Sequence, residues 1–348
     1  SLINKGVDFA FAMLSLRLLG PEGAGRFGYA VNLALFFGIV TDFGLGVLAT
    51  REVAKDRGQA NRYLTNTALV RVGLSAIALL PLLAVVSVNT RLTPDTVAVI
   101  ALLWASLVPS GIAASLSYLF NAYERFEFPA TVTVLVKVSS TFVAAVVLLL
   151  GGGIVGLATV SVLANLASLT ILFLLVRRQL FVPHWEPDLA LVRSMVSDAY
   201  PLMINNLLAT IFFRIDVQIL QPLKGDEVVG YYNAAYKWID GLNIIPASLT
   251  LALFPLLSRY GTTAKESMLR AYQGSLRLLI LVALPLCVGM WLAAEELILI
   301  LGGSAYLPHS MIALRILVWF LPFSFINSVT QYVLIALNQQ RFLTVAFI

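Results

Sequence analysis

The sequence predicts an all-α membrane protein with many spanning helices. Its mean hydropathy is +0.90, and 59% of its residues are hydrophobic while only 12% are charged. In soluble domains about a quarter of the residues are charged. Continuous apolar runs follow one another along the chain, and each is long enough to cross about 30 Å of hydrocarbon as a helix. A β-barrel would instead show alternating segments of roughly ten residues.

Charged and Gly/Pro clusters divide the chain into ten apolar segments, and an eleventh begins at about residue 342. The segments are 1–19, 27–49, 64–87, 96–120, 129–150, 154–176, 196–221, 229–256, 277–300 and 310–337. The chain begins without Met and stops inside an apolar stretch. We therefore expect a fragment of about ten to eleven helices, truncated at both ends.

The stretch 17–62 predicts two membrane helices joined by a tight turn and followed by a basic loop. Gly20, Pro21, Gly23 and Gly25 supply the turn, because proline lacks a backbone donor and glycine accepts positive φ. Asp42 is the single acid inside the second apolar run, where a charge costs roughly 2.5–3.5 kcal/mol on insertion scales.

Lysine and arginine are distributed unequally between the two sets of loops. One set carries thirteen of them and the other carries three. Because cytoplasmic loops are rich in Lys and Arg, the first set is predicted to be cytoplasmic. The first helix then runs from inside to outside, and the even helices end in the cytoplasm.

Charged residues also fall inside or at the edges of the apolar segments. The bases are Lys5, Arg17, Arg71, Lys137, Arg214, Lys237 and Arg315, and the acids are Asp8, Asp42, Asp216 and Asp240. Such charges normally face a bundle interior or a wet cavity. For Lys5, Arg17, Arg71 and Arg315, a position at a helix end with the side chain reaching the headgroups is an equal alternative.

The seventh segment has one polar face. At 100° per residue, Asn206, Thr210, Arg214 and Gln221 fall within about 80°. Asn205 and Asp216 lie on a different face. The alternative to a functional face is interhelical hydrogen bonding, which accounts for the amides and the threonine more easily than for an arginine.

Two short motifs repeat at a spacing of six helices. Gly28-Tyr29 after the first helix is echoed by Gly230-Tyr231, and Asn121 to Phe126 is echoed by Asn338 to Phe342. This spacing predicts a parallel repeat with a substrate site between two lobes. The predicted division is an N-terminal lobe at 1–178, a cytoplasmic linker at 179–195 and a C-terminal lobe at 196–348.

Several motifs in order give the chain a resemblance to a known family. They are Arg17-Leu-Leu-Gly-Pro-Glu22, Asp42-Phe-Gly-Leu45, Arg51-Glu-Val-Ala54, Tyr200-Pro-Leu202, Arg214-Ile-Asp216, Val229-Gly-Tyr-Tyr-Asn-Ala-Ala-Tyr-Lys237, Phe254-Pro-Leu-Leu-Ser258, and Asn327 through Asn338-Gln-Gln-Arg341. Through them the chain resembles the bacterial polysaccharide-biosynthesis flippases. These flippases share a superfamily with multidrug and toxic-compound extruders and with lipid II flippases.

The resemblance implies a fold of two six-helix lobes in a V shape, of which this chain holds a part. It implies a cargo of oligosaccharide on polyprenyl pyrophosphate, carried across the bacterial inner membrane, and partners such as the polymerase and glycosyltransferases of the same route. A cationic cavity for the headgroup is implied, with the bases Arg214, Lys237, Lys137 and Arg71 in matching positions. Candidates for H⁺ or Na⁺ coupling, or for internal pairing, are the side chains of Asp216, Asp240, Asp42, Asn205 and Asn206.

Three other function classes are compared with this one by their expected residues. A cation-coupled drug exporter or a lipid II flippase of the same fold stays open, although a cationic cargo would favour acids over the observed bases. An enzyme is not expected, because the loops hold no HExxH motif, no P-loop and no paired carboxylates with His. We expect no cofactor, no metal site and no nucleic-acid partner, since the chain has one cysteine and no basic runs with interleaved aromatics.

Overall fold

The computed structural model describes residues 2–250, 253 and 265–337, and within these ranges the chain is helical without β-strands. The first nine helices are α1 (Leu2–Asp42), α2 (Leu45–Lys55), α3 (Ala60–Val88), α4 (Pro94–Ala105), α5 (Leu107–Ala122), α6 (Glu127–Leu149), α7 (Gly153–Gln179), α8 (Leu189–Lys224) and α9 (Asp226–Leu242). Residues 244–250 are helical as well. The later helices are Lys265–Leu292, Ala294–Leu301, His309–Leu317 and Leu321–Ala336.

Eight stretches of helix in the described part of the chain are long and apolar enough to cross a membrane. The first, Gly6–Lys55, is 50 residues long and therefore covers two of the predicted segments. The predicted segment 229–256 runs past the described residues. So do the Phe254–Ser258 and Asn338–Arg341 motifs and the eleventh segment. The chain is an all-α polytopic membrane protein, as the composition and the apolar runs predicted.

The predicted Gly/Pro turn at residues 20–25 is wrong in extent. Only Gly20 leaves the helix, with φ 67° and ψ 179°, and residues 21–25 are helical. A proline fits the first turn of a helix, where its missing N–H has no intrahelical acceptor to lose. Pro21 therefore restarts the helix directly after the one-residue break.

Two other predicted segments are broken inside their apolar runs. Segment 27–49 is divided between α1 and α2 by Phe43 and Gly44, whose φ angles are 54° and 71°. A Cβ on Gly44 would lie 2.9 Å from the Leu202 Cβ, so glycine serves both the left-handed conformation and the close approach of α8. Segment 96–120 is divided between α4 and α5 at Ser106.

The chain forms two compact units. Unit 1 consists of Ser1–Phe11 and Arg26–Asp226, and unit 2 consists of Ala12–Gly25 and Glu227–Ile348. Unit 1 therefore includes α8, which begins at Leu189 inside the predicted linker. The lobe boundaries given above stay a prediction.

Each unit has its own apolar core. In unit 1, one cluster of buried side chains joins α2, α3, α5, α6 and α7, and it contains Val53, Leu64, Leu116, Phe120, Val132, Leu172 and Val176. A second cluster joins the α1–α2 break to α8 and contains Phe43, Leu45, Leu48, Val70, Met195 and Ala199. In unit 2, fully buried residues include Leu279, Cys287, Ile298, Tyr306 and Phe325.

The segment before α8 is fixed to the start of α3 by side chains that pair with its backbone. The Asn61 amide donates to the His184 carbonyl at 3.0 Å and accepts from the His184 N–H at 3.0 Å. The Asn66 amide donates to the Glu186 carbonyl at 3.0 Å and accepts from the Asp188 N–H at 2.8 Å. These asparagines act as peptide mimics, and we call residues 184–188 the clamped segment.

Asn66→Ala is expected to release the clamped segment while leaving α3 helical. Asn66 is fully buried, and its loss leaves two peptide groups of the segment without partners, at about 1–3 kcal/mol. Hydrogen exchange at residues 184–188 should quicken in this variant. Ser87→Ala, an exposed change near the other end of α3, is the control. Equal hydrogen-exchange rates at residues 184–188 in the two variants would contradict the proposed role of Asn66 in fixing the clamped segment.

Candidate functional site

The break between α1 and α2 places an acid beside a fully buried base. Arg71 on α3 is 1% exposed, and its Nη2 donates to Asp42 Oδ1, whose side chain is 40% exposed. The Arg71 Nη1 donates to the Gly111 carbonyl and, at 3.0 Å, to Ser115 Oγ. The guanidinium lies 5.4 Å from the ring centroid of Tyr118. We call these five residues the Arg71 cluster.

The two charges of the Arg71 cluster depend on each other. A carboxylate at the C-terminal end of α1 is disfavoured by the helix dipole, and a buried guanidinium is costly without a counter-charge. The Gly111 backbone lies against the Arg71 side chain, since a Cβ built there would be in van der Waals contact with Arg71 Cδ at 3.4 Å. The buried Arg71 Nε has no acceptor among the described residues. Among the partners given above for the guanidinium, Asp42 carries the negative charge that balances it.

A cavity of about 450 Å³ in unit 1 opens next to Asp42. Its walls come from α1, from the junction of α4 and α5, and from α8. Its lining residues are Val31, Ala34, Leu35, Gly38, Ile39, Asp42, Leu103, Ser106, Leu107 and Asn206. The lining is apolar except for Asp42, Ser106 and Asn206, and Asp42 is its one charged residue. The predicted candidates Asp42, Arg71 and Asn206 thus lie in one region.

A second cavity in unit 1, of about 230 Å³, surrounds Lys137. The Lys137 ammonium pairs with the Asp8 carboxylate, and the two side chains are 42% and 47% exposed. Ser140, Thr141 and Asn165 contribute polar groups to the wall. Lys137 therefore lines a different cavity from Asp42 and has an acid of its own.

The predicted polar face of α8 has two parts. Asn206 is exposed, Thr210 and Arg214 are half-buried, and Thr210 Oγ1 donates to the Asn206 carbonyl at 2.9 Å. Gln221 is fully buried, accepts from Asn89 Nδ2 at 2.6 Å and donates to Asp226 Oδ1 at 2.9 Å. Gln221 therefore joins structural elements, whereas Asn206 is exposed and Thr210 and Arg214 are partly exposed. Asn205 and Asp216, on the other face, are half-buried.

The remaining candidate residues belong to unit 2. Lys237 is exposed and Asp240 is half-buried, one turn apart on α9, and their pairing stays a prediction. Arg17 donates to the Leu299 and Ile300 carbonyls at 3.3 and 2.7 Å, at the end of a short helix. Arg315 donates to the Trp291 carbonyl at 3.3 Å and lies over the Trp291 ring. Arg17 and Arg315 thus contact carbonyl groups at the ends of other helices, and the Lys5 side chain lies outside the described part.

Sequence reasoning missed several members of these sites. Gly111, Ser115 and Tyr118 lie on α5 without a motif that ties them to Arg71. Asp8 was recognised as a membrane-depth acid but was not linked to Lys137. The Asp42-Phe-Gly-Leu motif did carry a signal, since glycine two residues after an acid inside an apolar run indicates a helix break.

Gly46→Ala is expected to disturb the Arg71 cluster. A Cβ at Gly46 on α2 would lie 2.0 Å from Tyr118 Cζ, so the ring must leave the guanidinium. We expect a loss of about 1–3 kcal/mol, as for overpacking elsewhere, measured by thermal unfolding in detergent. Tyr118→Ala in the same chain should relieve the clash. Gly73→Ala, where a Cβ meets nothing within 4 Å, is the control, and an equal loss there would contradict the steric cause.

The eight apolar spans, with charged and polar groups among them, define a polytopic α-helical membrane protein. The chain belongs to the polysaccharide biosynthesis protein family, because the profile with that description matches residues 1–261. The MatE profile matches residues 201–348. These families and the similar proteins below are transporters and flippases rather than enzymes.

Individual relatives are distant in sequence. A putative O-antigen transporter of Shigella dysenteriae is 20% identical over 273 residues, which cover 77% of this chain and 68% of that protein. A solved structure of a multidrug resistance MATE family transporter of the MOP superfamily, in an inward-facing conformation, matches with a TM-score of 0.77 at 16% identity. The match covers 99% of this chain and 83% of the transporter chain. The lipid II flippase MurJ, in an inward closed conformation, matches with a TM-score of 0.76 at 14% identity. The match covers 99% of this chain and 77% of the MurJ chain. At these identities the solved structures show the shared fold.

Proposed function

We propose that this protein translocates a polyprenyl-pyrophosphate-linked oligosaccharide from the cytoplasmic to the outer leaflet by alternating access. The match of the polysaccharide biosynthesis family to residues 1–261 supports a cargo of this class. The fold shared with a lipid II flippase supports transport of a lipid-linked headgroup. The predicted excess of bases on one side of the topology, thirteen against three, supports a bacterial inner-membrane protein with that side in the cytoplasm.

The observation that carries the proposal is the accessible polar face of α8. This helix is the least buried of the eight apolar spans, and Asn206, Thr210 and Arg214 lie along one side of it. An arginine presents a planar fork of donors that matches phosphate oxygens, which a lysine does not. We assign the pyrophosphate contact to Arg214 first and to Lys237 second. Arg71 and Lys137 rank lower, because Arg71 is buried and Lys137 lines the smaller cavity between α6 and α7.

Energy for transport is proposed to come from H⁺ or Na⁺ coupling. Asp42 is the best-placed acid in unit 1, since it lies in a cavity wall at membrane depth and is 40% exposed. Asp216 and Asp240 are further candidates, with Asn205 and Asn206 as neutral oxygen donors. The polymerase and glycosyltransferases of the same polysaccharide route are the proposed partners.

One observation favours a second candidate, a cation-coupled drug exporter. The cavity beside Asp42 has apolar walls and one carboxylate, which suits an amphipathic cation better than a pyrophosphate. The MatE profile match to residues 201–348 points the same way. We rank this candidate second, because the polysaccharide family covers more of the chain.

The test uses purified protein in liposomes with a fluorescent polyprenyl-pyrophosphate oligosaccharide. An external glycosidase reports how fast the sugar reaches the outer leaflet. We expect the wild type to expose the sugar faster than empty liposomes do. Arg214→Ala should slow this exposure about tenfold relative to the wild type, which corresponds to the free energy of one lost charge-assisted hydrogen bond.

Arg177→Ala, an exposed base at the end of α7, is the matched control and should transport as the wild type does. Exposure no faster than in empty liposomes, together with proton-driven efflux of a cationic dye, would replace the flippase with the exporter. Equal rates for Arg214→Ala and Arg177→Ala would keep the function and remove Arg214 from the headgroup site.

A further inference from the structure

The cavity around Lys137 has walls of a different chemistry from the apolar cavity beside Asp42. It is about half as large, and hydroxyl and amide groups from α6 and α7 face it. Four of its lining residues carry neutral oxygen atoms: Ser140, Thr141, Ser161 and Asn165. Lys137 is the one base in the lining. Such a concentration of polar groups between membrane helices requires an explanation, because each is costly there without a partner.

Three of the donor hydrogens of this wall are already used within their own helices. Ser140 Oγ donates to the Lys137 carbonyl at 3.1 Å, and Ser161 Oγ donates to the Leu157 carbonyl at 3.0 Å. Asn165 Nδ2 donates to the Ser161 carbonyl at 3.0 Å. A hydroxyl that has given its one hydrogen keeps two lone pairs, and the amide oxygen keeps its own. The wall therefore offers chiefly acceptors.

An acceptor-rich wall beside a carboxylate attracts a cation, and here the carboxylate is that of Asp8, which pairs with the lining residue Lys137. The Asp8 carboxylate holds the Lys137 ammonium, and hydroxyl, amide and carboxylate oxygens are the usual partners of hard cations in proteins. An ammonium group brings three donors and no acceptor, so it complements such a wall. Asp8 and Lys137 are both about half exposed, which leaves room for a small ion if the lysine side chain is removed.

We propose that this cavity is a binding site for one small monovalent cation, and that the chain fills the site with the ammonium of its own Lys137. The tethered ammonium makes the site independent of ions in solution. Removal of the lysine side chain exposes the acid and the oxygen atoms, and a free cation of similar size then takes the place of the ammonium. This inference does not depend on the cargo of the transporter.

The experiment compares thermal unfolding of the purified chain in choline chloride, methylammonium chloride and sodium chloride. The wild type is expected to unfold at one temperature in all three salts. Lys137→Ala is expected to unfold lower in choline chloride and to regain about 3–6 °C with methylammonium, increasing with its concentration, because a ligand of the folded state stabilises it. Sodium is expected to restore part or all of that shift.

Asp8→Asn supplies the matched control. Lys137→Ala combined with Asp8→Asn should unfold at one temperature in all salts, because the acid that binds the cation is gone. If Lys137→Ala cannot be purified, recovery of folding by the added Asp8→Asn supports the proposal, and failure to recover overturns it. A Lys137→Ala chain that unfolds at the same temperature in every salt also overturns it.

Discussion

Gly230→Ala is expected to destabilise unit 2 strongly. A Cβ at Gly230 on α9 would lie 1.9 Å from the Pro21 carbonyl oxygen and 2.7 Å from its carbonyl carbon. These are backbone atoms directly after the Gly20 break, so no side-chain rotation relieves the clash. Overpacking against backbone should fall at the upper end of the usual range, about 3 kcal/mol. Thermal unfolding in detergent should show a decrease of roughly 6–12 °C.

The same helix offers a matched control for this change. A Cβ at Gly241 meets nothing within 4 Å, and alanine is a better helix former than glycine by roughly 1 kcal/mol. Gly241→Ala should therefore leave the unfolding temperature unchanged or raise it. If both alanine variants unfolded at the same temperature, the close approach between α9 and Pro21 would be contradicted.

Removal of the acid of the Arg71 cluster is expected to cost more than removal of the base. Asp42→Asn leaves a guanidinium that is 1% exposed without a counter-charge, at a cost of about 3 kcal/mol or more. Arg71→Met leaves a carboxylate that is 40% exposed beside a cavity, and partial hydration lowers the cost of the unpaired acid. Thermal unfolding of the two variants measures the difference.

The double variant tests whether the two charges act as a pair. Asp42→Asn with Arg71→Met should destabilise the chain by less than the sum of the single changes, because neither charge is then left alone. Additive effects would mean that the two side chains contribute separately. A larger loss for Arg71→Met than for Asp42→Asn would show that packing of the arginine stem outweighs its charge.

The membrane helices were predictable because hydropathy and length are local properties of the sequence. The breaks were less predictable. The break in α1 needs only one residue of positive φ, which is Gly20, and Pro21 restarts the helix. The sequence pattern of prolines and glycines indicates a longer turn. Ser106 divides α4 from α5 within an unbroken apolar run, where nothing in hydropathy indicates an interruption.

The charge partners were not predictable for a different reason. Asp42 and Arg71 are 29 residues apart on separate helices, so their pairing depends on how those helices pack. The same holds for Asp8 and Lys137. Hydropathy identifies a charge that needs a partner, but the choice of partner is made by tertiary structure. The requirement for glycine at position 230 was not predictable either, since it arises from a tertiary contact with the Pro21 backbone that leaves no room for a Cβ.

The division of α1 between the two units has a consequence for biosynthesis. The segment 12–25 leaves the ribosome early, yet its contacts within unit 2 are made with late residues. The Tyr306 hydroxyl donates to the Leu16 carbonyl across 290 residues of sequence, and Arg17 reaches the Ile300 carbonyl across 283. At about 5–20 residues per second, translation separates these partners by roughly 15–60 s. During that interval unit 2 is incomplete in the membrane. Unit 1 is therefore the part of the chain that can assemble first.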